Sequence, residues 1–437
     1  MNRRILIITH HFPPSTVAAS FRPLRLAKYL PRMGYRVWVL STTTGAYSDD
    51  GRTDNELLKE IPPGVRVVRI PNLNPMLWHQ SRPSRSISAQ VPNRKSQISN
   101  LKSTMSEFAK FPDIDTSWVA ASLLPALYLV IRNRIDLIYT SGPPFGAHLL
   151  GLALKRLTKR AWIAQYGNPW TANPSISWDS GFLRNQCERI DRAIVRSADS
   201  VLVLDDVLAG CIFDLGRAEG VYVHPNGFDP EHFEPTDPPA GMFTITYAGS
   251  LYNVHNPQII YDALSVIERR DPAARADMRV VFAGPAESDP MRAGAPPDVE
   301  FTGPLRHSQL VDRLNDSHVL LDFLTAPSDR KFTVSCKLYE YMAARRPILA
   351  VTPEGPMARE VRRLNLGKVA SCDDPADVAD AILGFYHDYK SGALRTPDAP
   401  GIDAYSAPNL VREFAEIAER VCASAVVRRS CAMGRAK

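Results

Sequence analysis

The densest chemistry in the sequence lies in Ser335–Ala350, SCKLYEYMAARRPILA. Ser335 has the side chain of a helix N-cap, and Lys337 would then fall in the first turn, where a cation opposes the partial positive charge of the helix N-terminus. An anion at that terminus would resolve the conflict. Glu340 follows Lys337 by three residues and Cys336 by four, so the three share a helical face with the carboxylate one turn further in. Backbone N–H groups and an ammonium above a carboxylate suit a nucleotide diphosphate whose ribose hydroxyls reach the acid. The plain alternative is an i,i+3 salt bridge between Lys337 and Glu340 on a solvated helix.

Other chemistries find less support. The six cysteines (Cys187, Cys211, Cys336, Cys372, Cys422 and Cys431) form no C-x-x-C pair. His10–His11 and Asp49–Asp50 are adjacent pairs outside any set with metal-ligand spacing, so free thiols and no metal site are expected. The first strand-to-helix turn, HHFPPST, has no G-x-G-x-x-G pattern, which removes support for dinucleotide binding there.

The chain has 437 residues, 45% apolar and 22% charged, a soluble globular composition long enough for two domains of roughly 200 residues. The longest apolar tract, Val119–Ile131, is too short to span a bilayer and contains a proline. The apolar run near the N-terminus is too short for a signal-peptide core, so a cytoplasmic location is expected. The net charge of +6 is unevenly spread: no acid occurs between Glu60 and Glu107, nor after Glu419. Such basic segments, Arg82, Arg85, Arg94, Lys95 and Lys102 among them, read either as solvated loops with incidental charge or as contacts to an anionic membrane surface, met peripherally at the inner face of the plasma membrane. They lack the interleaved aromatics of a nucleic-acid groove, and no nucleic acid is expected.

The elements that would position the site alternate. Ile5–Thr9 reads as a strand buried on both faces, Phe21–Arg32 as a helix closing at Gly34, and VWVLST as the next strand. Strands at Arg66–Ile70, Ile135–Thr140, Trp162–Tyr166 and Ser200–Leu204 continue the series, with helices at Leu149–Thr158 and about Phe182–Ser197. Asp229–Gly241, rich in proline and acid, reads as a linker. A second series then runs FTITYAGS, a helix over Pro257–Arg270, MRVVFAGP, VEFTGP, a helix over Ser308–Asp316, HVLLDFL, the Ser335 helix with its strand, and a helix over Asp377–Tyr389. The last helix spans Ser406–Ala423. Alternation of this kind predicts doubly wound parallel sheets, with ligands at the carboxyl ends of the strands. We place one domain at 1–228 with a basic insertion near 72–110, a second at 242–405, and a terminal helix and tail at 406–437 packing back toward the first.

Several segments taken in order resemble retaining glycosyltransferases of family 4, in the branch that builds bacterial cell-surface polysaccharides. They are ILIITHHFPPS with RLAKYLPRMGYRVWVLS, IDLIYTSGPPFGAH, Asn168–Trp170, HPNGFDPEHF, ITYAGSL and KLYEYMAARRPILA. The resemblance covers nearly the whole length. It implies the GT-B fold, α/β with two doubly wound Rossmann-like domains facing across a cleft, and transfer of a sugar from a nucleotide-sugar donor to a hydroxyl of a glycan or lipid-linked acceptor, with retention. It implies a hexosyltransferase-type enzyme that needs no cofactor and no metal.

Carried over by resemblance, Glu340 holds the ribose, and Lys337, Cys336, Ser335, Gly249, Ser250, Lys331, Arg330, His255 and Leu305 lie on the donor side. The family's first glutamate is here Phe332. Ser250 and His255 stand where two diphosphate-binding cations are usual, so Arg330, Lys331 or Lys337 would substitute. In the first domain Val17–Ala18–Ala19 replaces a Gly-Gly, and Gln165 or Asn168 stands for a polar strand-end residue often His or Asp. His11, Gln165 and Asn168 are the candidates nearest the chemistry, and Arg22, Ser15, Pro144 and Trp170 are the acceptor-side set. Each has a structural alternative: surface pairing for Arg22, an Asn-Pro turn with a packed aromatic for Asn168 and Trp170, a tight turn for Gly249. An amide is no general base, but a front-face mechanism lets the departing phosphate take the acceptor proton. The alternatives in other classes are a degenerate chain of this fold that binds nucleotide sugar or glycan without turnover, and a nucleotide-sugar epimerase.

Overall fold

The computed structural model describes residues 3–43, 53–73, 111–113, 115–173, 176, 178, 180–217, 219–234, 236, 239–251, 257–285, 292, 294–324, 334–397 and 400–434, with side chains to 427. The chain divides into two compact units, Met1–Pro225 with Val411–Lys437, and Asn226–Leu410.

The first unit is built on seven parallel strands in the order β3-β2-β1-β4-β5-β6-β7. They are β1 (Arg4–Thr9), β2 (Arg36–Thr42), β3 (Arg66–Ile70), β4 (Leu137–Gly142), β5 (Ala161–Tyr166), β6 (Ser200–Val203) and β7 (Val221–Val223). The helices between them are α1 (Ala18–Tyr29), α2 (Thr116–Arg132), α3 (Gly146–Thr158), α4 (Gly181–Ser197) and α5 (Asp206–Asp214). Continuous apolar runs such as ILII and LIYT form strands here because both faces are covered: Leu6 and Ile8 join the core beneath α2, α3 and α4, and strand alternation turns Ile5 and Ile7 to the opposite side. Helix starts follow local chemistry. The Ser180 hydroxyl accepts from Leu183 N at 3.3 Å, and the Asp205 carboxylate from Leu208 N at 2.8 Å.

The second unit repeats the plan with six parallel strands in the order β10-β9-β8-β11-β12-β13. These are β8 (Phe243–Ala248), β9 (Met278–Ala283), β10 (Glu300–Gly303), β11 (Val319–Phe323), β12 (Ile348–Val351) and β13 (Gly367–Ala370). Its helices are α6 (Gln258–Arg270), α7 (Pro272–Ala276), α8 (His307–Asn315), α9 (Cys336–Ala344), α10 (Pro356–Arg363) and α11 (Pro375–Lys390). One core lies against α6 and α11, the other against α8, α9 and α10.

Several elements differ from the sequence reading. The Val119–Ile131 tract belongs to α2, with Pro125 inside the helix. Neither α5 nor α10 was expected, and both are short. The terminal helix α12 runs Ala407–Gly434, well past Ala423. From Val411 onward it belongs to the first unit, where Phe414 is fully buried with its ring edge-on to Tyr139 at 5.4 Å. Glu419 binds Arg3 through both carboxylate oxygens, the shorter contact 2.7 Å, and accepts from the Tyr35 hydroxyl at 3.1 Å.

If α12 is part of this core, Phe414→Ala should cost about 3–5 kcal/mol by urea unfolding. A chain ending before Val411 that unfolds at the same denaturant concentration as the full chain would refute that role.

Candidate functional site

In a parallel sheet the crevice for a ligand opens at the carboxyl ends of strands where the strand order reverses. In the second unit that place lies between β8 and β11, which pair with each other while the chain leaves β8 toward β9. Here Asp322, fully buried near the end of β11, is the residue the sequence reading missed. Burial pushes its carboxyl above the usual range, and the Lys337 ammonium pulls it back in part. Lys337 Nζ lies 4.0 Å from Asp322 Oδ1 and 5.1 Å from the centre of the Tyr247 ring. The cation in the first turn of α9 is therefore balanced from below. The alternative pairing with Glu340 is not formed.

Gly249 ends β8 with φ +134°, a conformation in which a side chain is strained, and a Cβ there would meet Lys337 Cε at 2.5 Å. A glycine is needed so that the lysine stem can pass. The Ser335 hydroxyl caps α9, accepting from Lys337 N at 3.3 Å. The Tyr341 hydroxyl accepts from Ala248 N at 2.8 Å and donates to Leu321 O at 3.0 Å, fixing the helix to both strand ends. Cys336 is exposed, with its Sγ 3.1 Å from Asn226 Nδ2. Glu340 is half-buried, and its carboxylate makes no hydrogen bond or ion pair among the described residues. Ser250 accepts at its carbonyl from the Tyr247 hydroxyl, at 3.0 Å, and half-buried Leu305 precedes α8. His255, Arg330, Lys331 and Phe332 lie outside the described residues.

In the first unit the reversal lies between β1 and β4. His10, buried at the end of β1, has its Nδ1 2.6 Å from Asp115 Oδ2. Asp115 also accepts from Asn72 Nδ2 at 2.8 Å, and Asn72 in turn accepts from the Ser117 hydroxyl at 2.8 Å. Half-buried His11 meets His10 edge-on, their ring centres 4.7 Å apart. Beside this pair Asp113 accepts from Phe145 N at 3.0 Å and Asp115 N at 2.9 Å, capping the entry to α3. Burial first, and then the Asp115 charge, push the Asp113 carboxyl up to about 6.

Gln165 is buried at the end of β5, accepting from the Ser141 hydroxyl at 2.7 Å. Gly167 N donates to Gly142 O at 2.7 Å and so joins the loops after β4 and β5, with half-buried Pro144 and exposed Asn168 in them. Trp170 is buried and stacks on Phe145 at 5.0 Å. Arg22 is buried too: one guanidinium nitrogen lies 2.6 Å from His224 Nδ1 and the other donates to His224 O at 2.9 Å. Ser15 closes the turn before α1, its carbonyl accepting from the Ser20 hydroxyl at 2.7 Å. The acceptor-side candidates thus fall into three places rather than one: Arg22 on His224, Ser15 in its turn, and Pro144 with Trp170 beside Gln165. His148, fully buried, is pushed down to about 3 by burial and is neutral at ordinary pH.

Two doubly wound sheets, each with polar side chains gathered where its strand order reverses, define a two-domain α/β protein of the GT-B kind. Residues 18–227 match the family described as Glycosyl transferase 4-like domain, and residues 242–388 match Glycosyl transferases group 1. Together these matches take in most of the sequence, and the chain belongs to the glycosyltransferases. Its fold is similar to that of sucrose-phosphate synthase from Thermosynechococcus elongatus, at 16% identity and TM-score 0.65, covering 97% of this chain and 100% of that one. TarM is similar at 11% identity and TM-score 0.61, covering 95% and 99%. WaaG, a glycosyltransferase involved in lipopolysaccharide biosynthesis, is similar at 12% identity and TM-score 0.58, covering 94% and 99%. No curated protein matched by sequence.

Two outcomes test this geometry. Asp322→Asn should weaken binding of a nucleoside diphosphate about tenfold, and the effect should vanish in a Lys337→Met background, a coupling of roughly 1–2 kcal/mol. Equal losses in both backgrounds would mean that Asp322 does not act through Lys337. Because the folded Asp113 carboxyl holds its proton up to about 6, above its ordinary 3.8, stability should fall as pH rises between these values, by up to about 3 kcal/mol. Urea unfolding of Asp113→Asn should lack that slope.

Proposed function

We propose that the chain transfers a sugar from a nucleotide-sugar donor to a hydroxyl of a glycan or lipid-linked acceptor, with retention at the anomeric carbon. Glu340 supports this most: it is a half-buried carboxylate without a partner among the described residues, one turn into the helix that enters at the strand-order reversal of the second unit. In this reading its two oxygens accept from the ribose hydroxyls. Lys337 and the backbone N–H groups at the start of α9 hold the diphosphate, with Ser250, His255, Arg330 and Lys331 as further donor contacts. The leaving phosphate takes the acceptor proton, so no protein base and no metal is required, and chelation should leave the rate unchanged.

A second reading attaches to His10. An imidazole steadied by Asp115 at 2.6 Å is suited to take a proton from an acceptor hydroxyl, and such a step would accompany inversion. The anomeric configuration of the product, read by NMR, separates the two.

Purified protein should release nucleotide from at least one of a panel of UDP-, GDP- and ADP-sugars, faster when extracted lipid acceptors are added. Release from none would defeat the enzymatic reading and leave a binding protein of this fold. Isomerised donor without acceptor would mark an epimerase. Against the active donor, Glu340→Ala should lower kcat/KM by roughly 10- to 100-fold, the loss of hydrogen bonds to a charged group worth about 1.5–3 kcal/mol.

A further inference from the structure

Arg82, Arg85, Arg94, Lys95 and Lys102, the basic run of the first domain, lie outside the described residues. A charged site within them belongs to the second unit. After α11 the chain turns back on itself, Ala393 N and Leu394 N both donating to Asp388 O at 2.7 and 2.9 Å. Residues 393–397 then run as a strap past the starts of β12 and β13. Between this strap, the end of α11 and the turn at 364–367 lies a cavity of about 360 Å³, within the range of small-ligand sites. Ile348 opens β12 and pairs with Gly367, which opens β13, so the cavity is at the amino edge of the sheet. Gly249 and Asp322 are at the opposite edge.

The cavity has an apolar floor and a polar rim. Leu364, Leu366 and Phe385 line it and are buried. Lys368 Nζ lies 4.6 Å from the centre of the Phe385 ring and 3.7 Å from Asp388 Oδ2, an ion pair too long for a hydrogen bond. Arg395 is exposed and meets no acid among the described residues, and the side chains of Asn365 and Thr396 make no hydrogen bond among them. Five side chains on one rim therefore keep their hydrogen-bonding capacity unspent toward the protein. Gly384, inside α11, makes room for the ammonium, since a Cβ there would collide with Lys368 Nζ. Glycine weakens a helix interior, so that room comes at the expense of helix stability.

We propose that this cavity binds a small organic anion bearing hydroxyl groups. Two cations against one carboxylate leave the rim net positive, and an anionic group between Lys368 and Arg395 would neutralise it. Ionised Asp388 can only accept, so it calls for a donor on the ligand. A ligand ammonium would be repelled by Lys368, whereas a hydroxyl would not. Asn365 and Thr396 offer partners to further hydroxyls, and the apolar floor suits the carbon face of a sugar ring. A sugar phosphate and a sugar acid share this chemistry. The inference stands apart from the sugar-transfer reading, since it concerns the other edge of the sheet and is measured without a nucleotide sugar.

Isothermal titration of the full chain should show one equivalent of glucose 6-phosphate or of gluconate bound, and the one that binds identifies the anionic group. Glucose and inorganic phosphate should each bind at least about tenfold more weakly, because each supplies only part of the contacts. Lys368→Met and Arg395→Ser should each weaken the sugar anion about tenfold. Both should keep the wild-type melting temperature within a few degrees, because neither side chain belongs to the core. Binding of neither sugar anion would overturn the proposal, as would variants that bind as well as wild type, or inorganic phosphate that binds as tightly as the sugar anion. A signal that Glu340→Ala removes and Lys368→Met leaves intact would belong to the donor site and would overturn it too.

Discussion

A carboxylate with no access to water stands at the strand-order reversal of the second unit, and the arrangement around it follows from the need to offset its charge. Asp322 could be neutralised by a proton or balanced by a cation; the Lys337 ammonium at 4.0 Å supplies the second route in part. The lysine reaches that position because Gly249 has no side chain, and it stays over the Tyr247 ring because α9 is fixed by Tyr341 to the ends of β8 and β11. One buried acid thus sets the residue after β8, the register of α9 and the location of a cation. Glu340 is left free by the same logic. With Lys337 committed downward, the acid one turn on has no intrahelical partner.

The reversal in the first unit solves a related problem with different means. Asp113 and Asp115 are two residues apart and both largely out of water, where two negative charges repel strongly. Asp115 is served by His10 and Asn72, side chains from the ends of β1 and β3. Asp113 has only backbone N–H groups, those at the entry to α3 among them, and its carboxyl rises to about 6. The α3 N-terminus is therefore already occupied by a carboxylate of the chain itself. An anionic ligand of this unit would compete with Asp113 there, whereas the α9 terminus in the second unit has a lysine and no acid of its own helix in the first turn.

The strands were readable because a strand buried on both faces must be apolar throughout, and ILII, LIYT and VLLDF say so in sequence. Helix α2 was hidden by its own composition: a thirteen-residue tract, apolar but for Ser122 and Pro125, resembles neither an amphipathic helix nor a membrane span. The short helices α5 and α10 left only an Asp cap and a proline at the first turn as signals. Within the site, the spacing of Ser335, Lys337 and Glu340 was legible, since i,i+3 neighbours are fixed by helix geometry alone. Asp322 offered one clue, a single acid in an otherwise apolar strand, but its partner is set by packing. The His10–Asp115 contact joins residues from opposite ends of a long, partly undescribed interval, and nothing local announces it. Arg22 shows the opposite failure: a plausible ligand-facing cation by position that the fold spends on His224.

Parallel topology also sorts charge between the two edges of the first sheet. Every strand points its carboxyl end to one edge, so every returning helix ends at the other, and the partial negative charges of the helix C-termini collect there. Cations such as Arg132 and Arg156 at those ends have an ordinary explanation in that field.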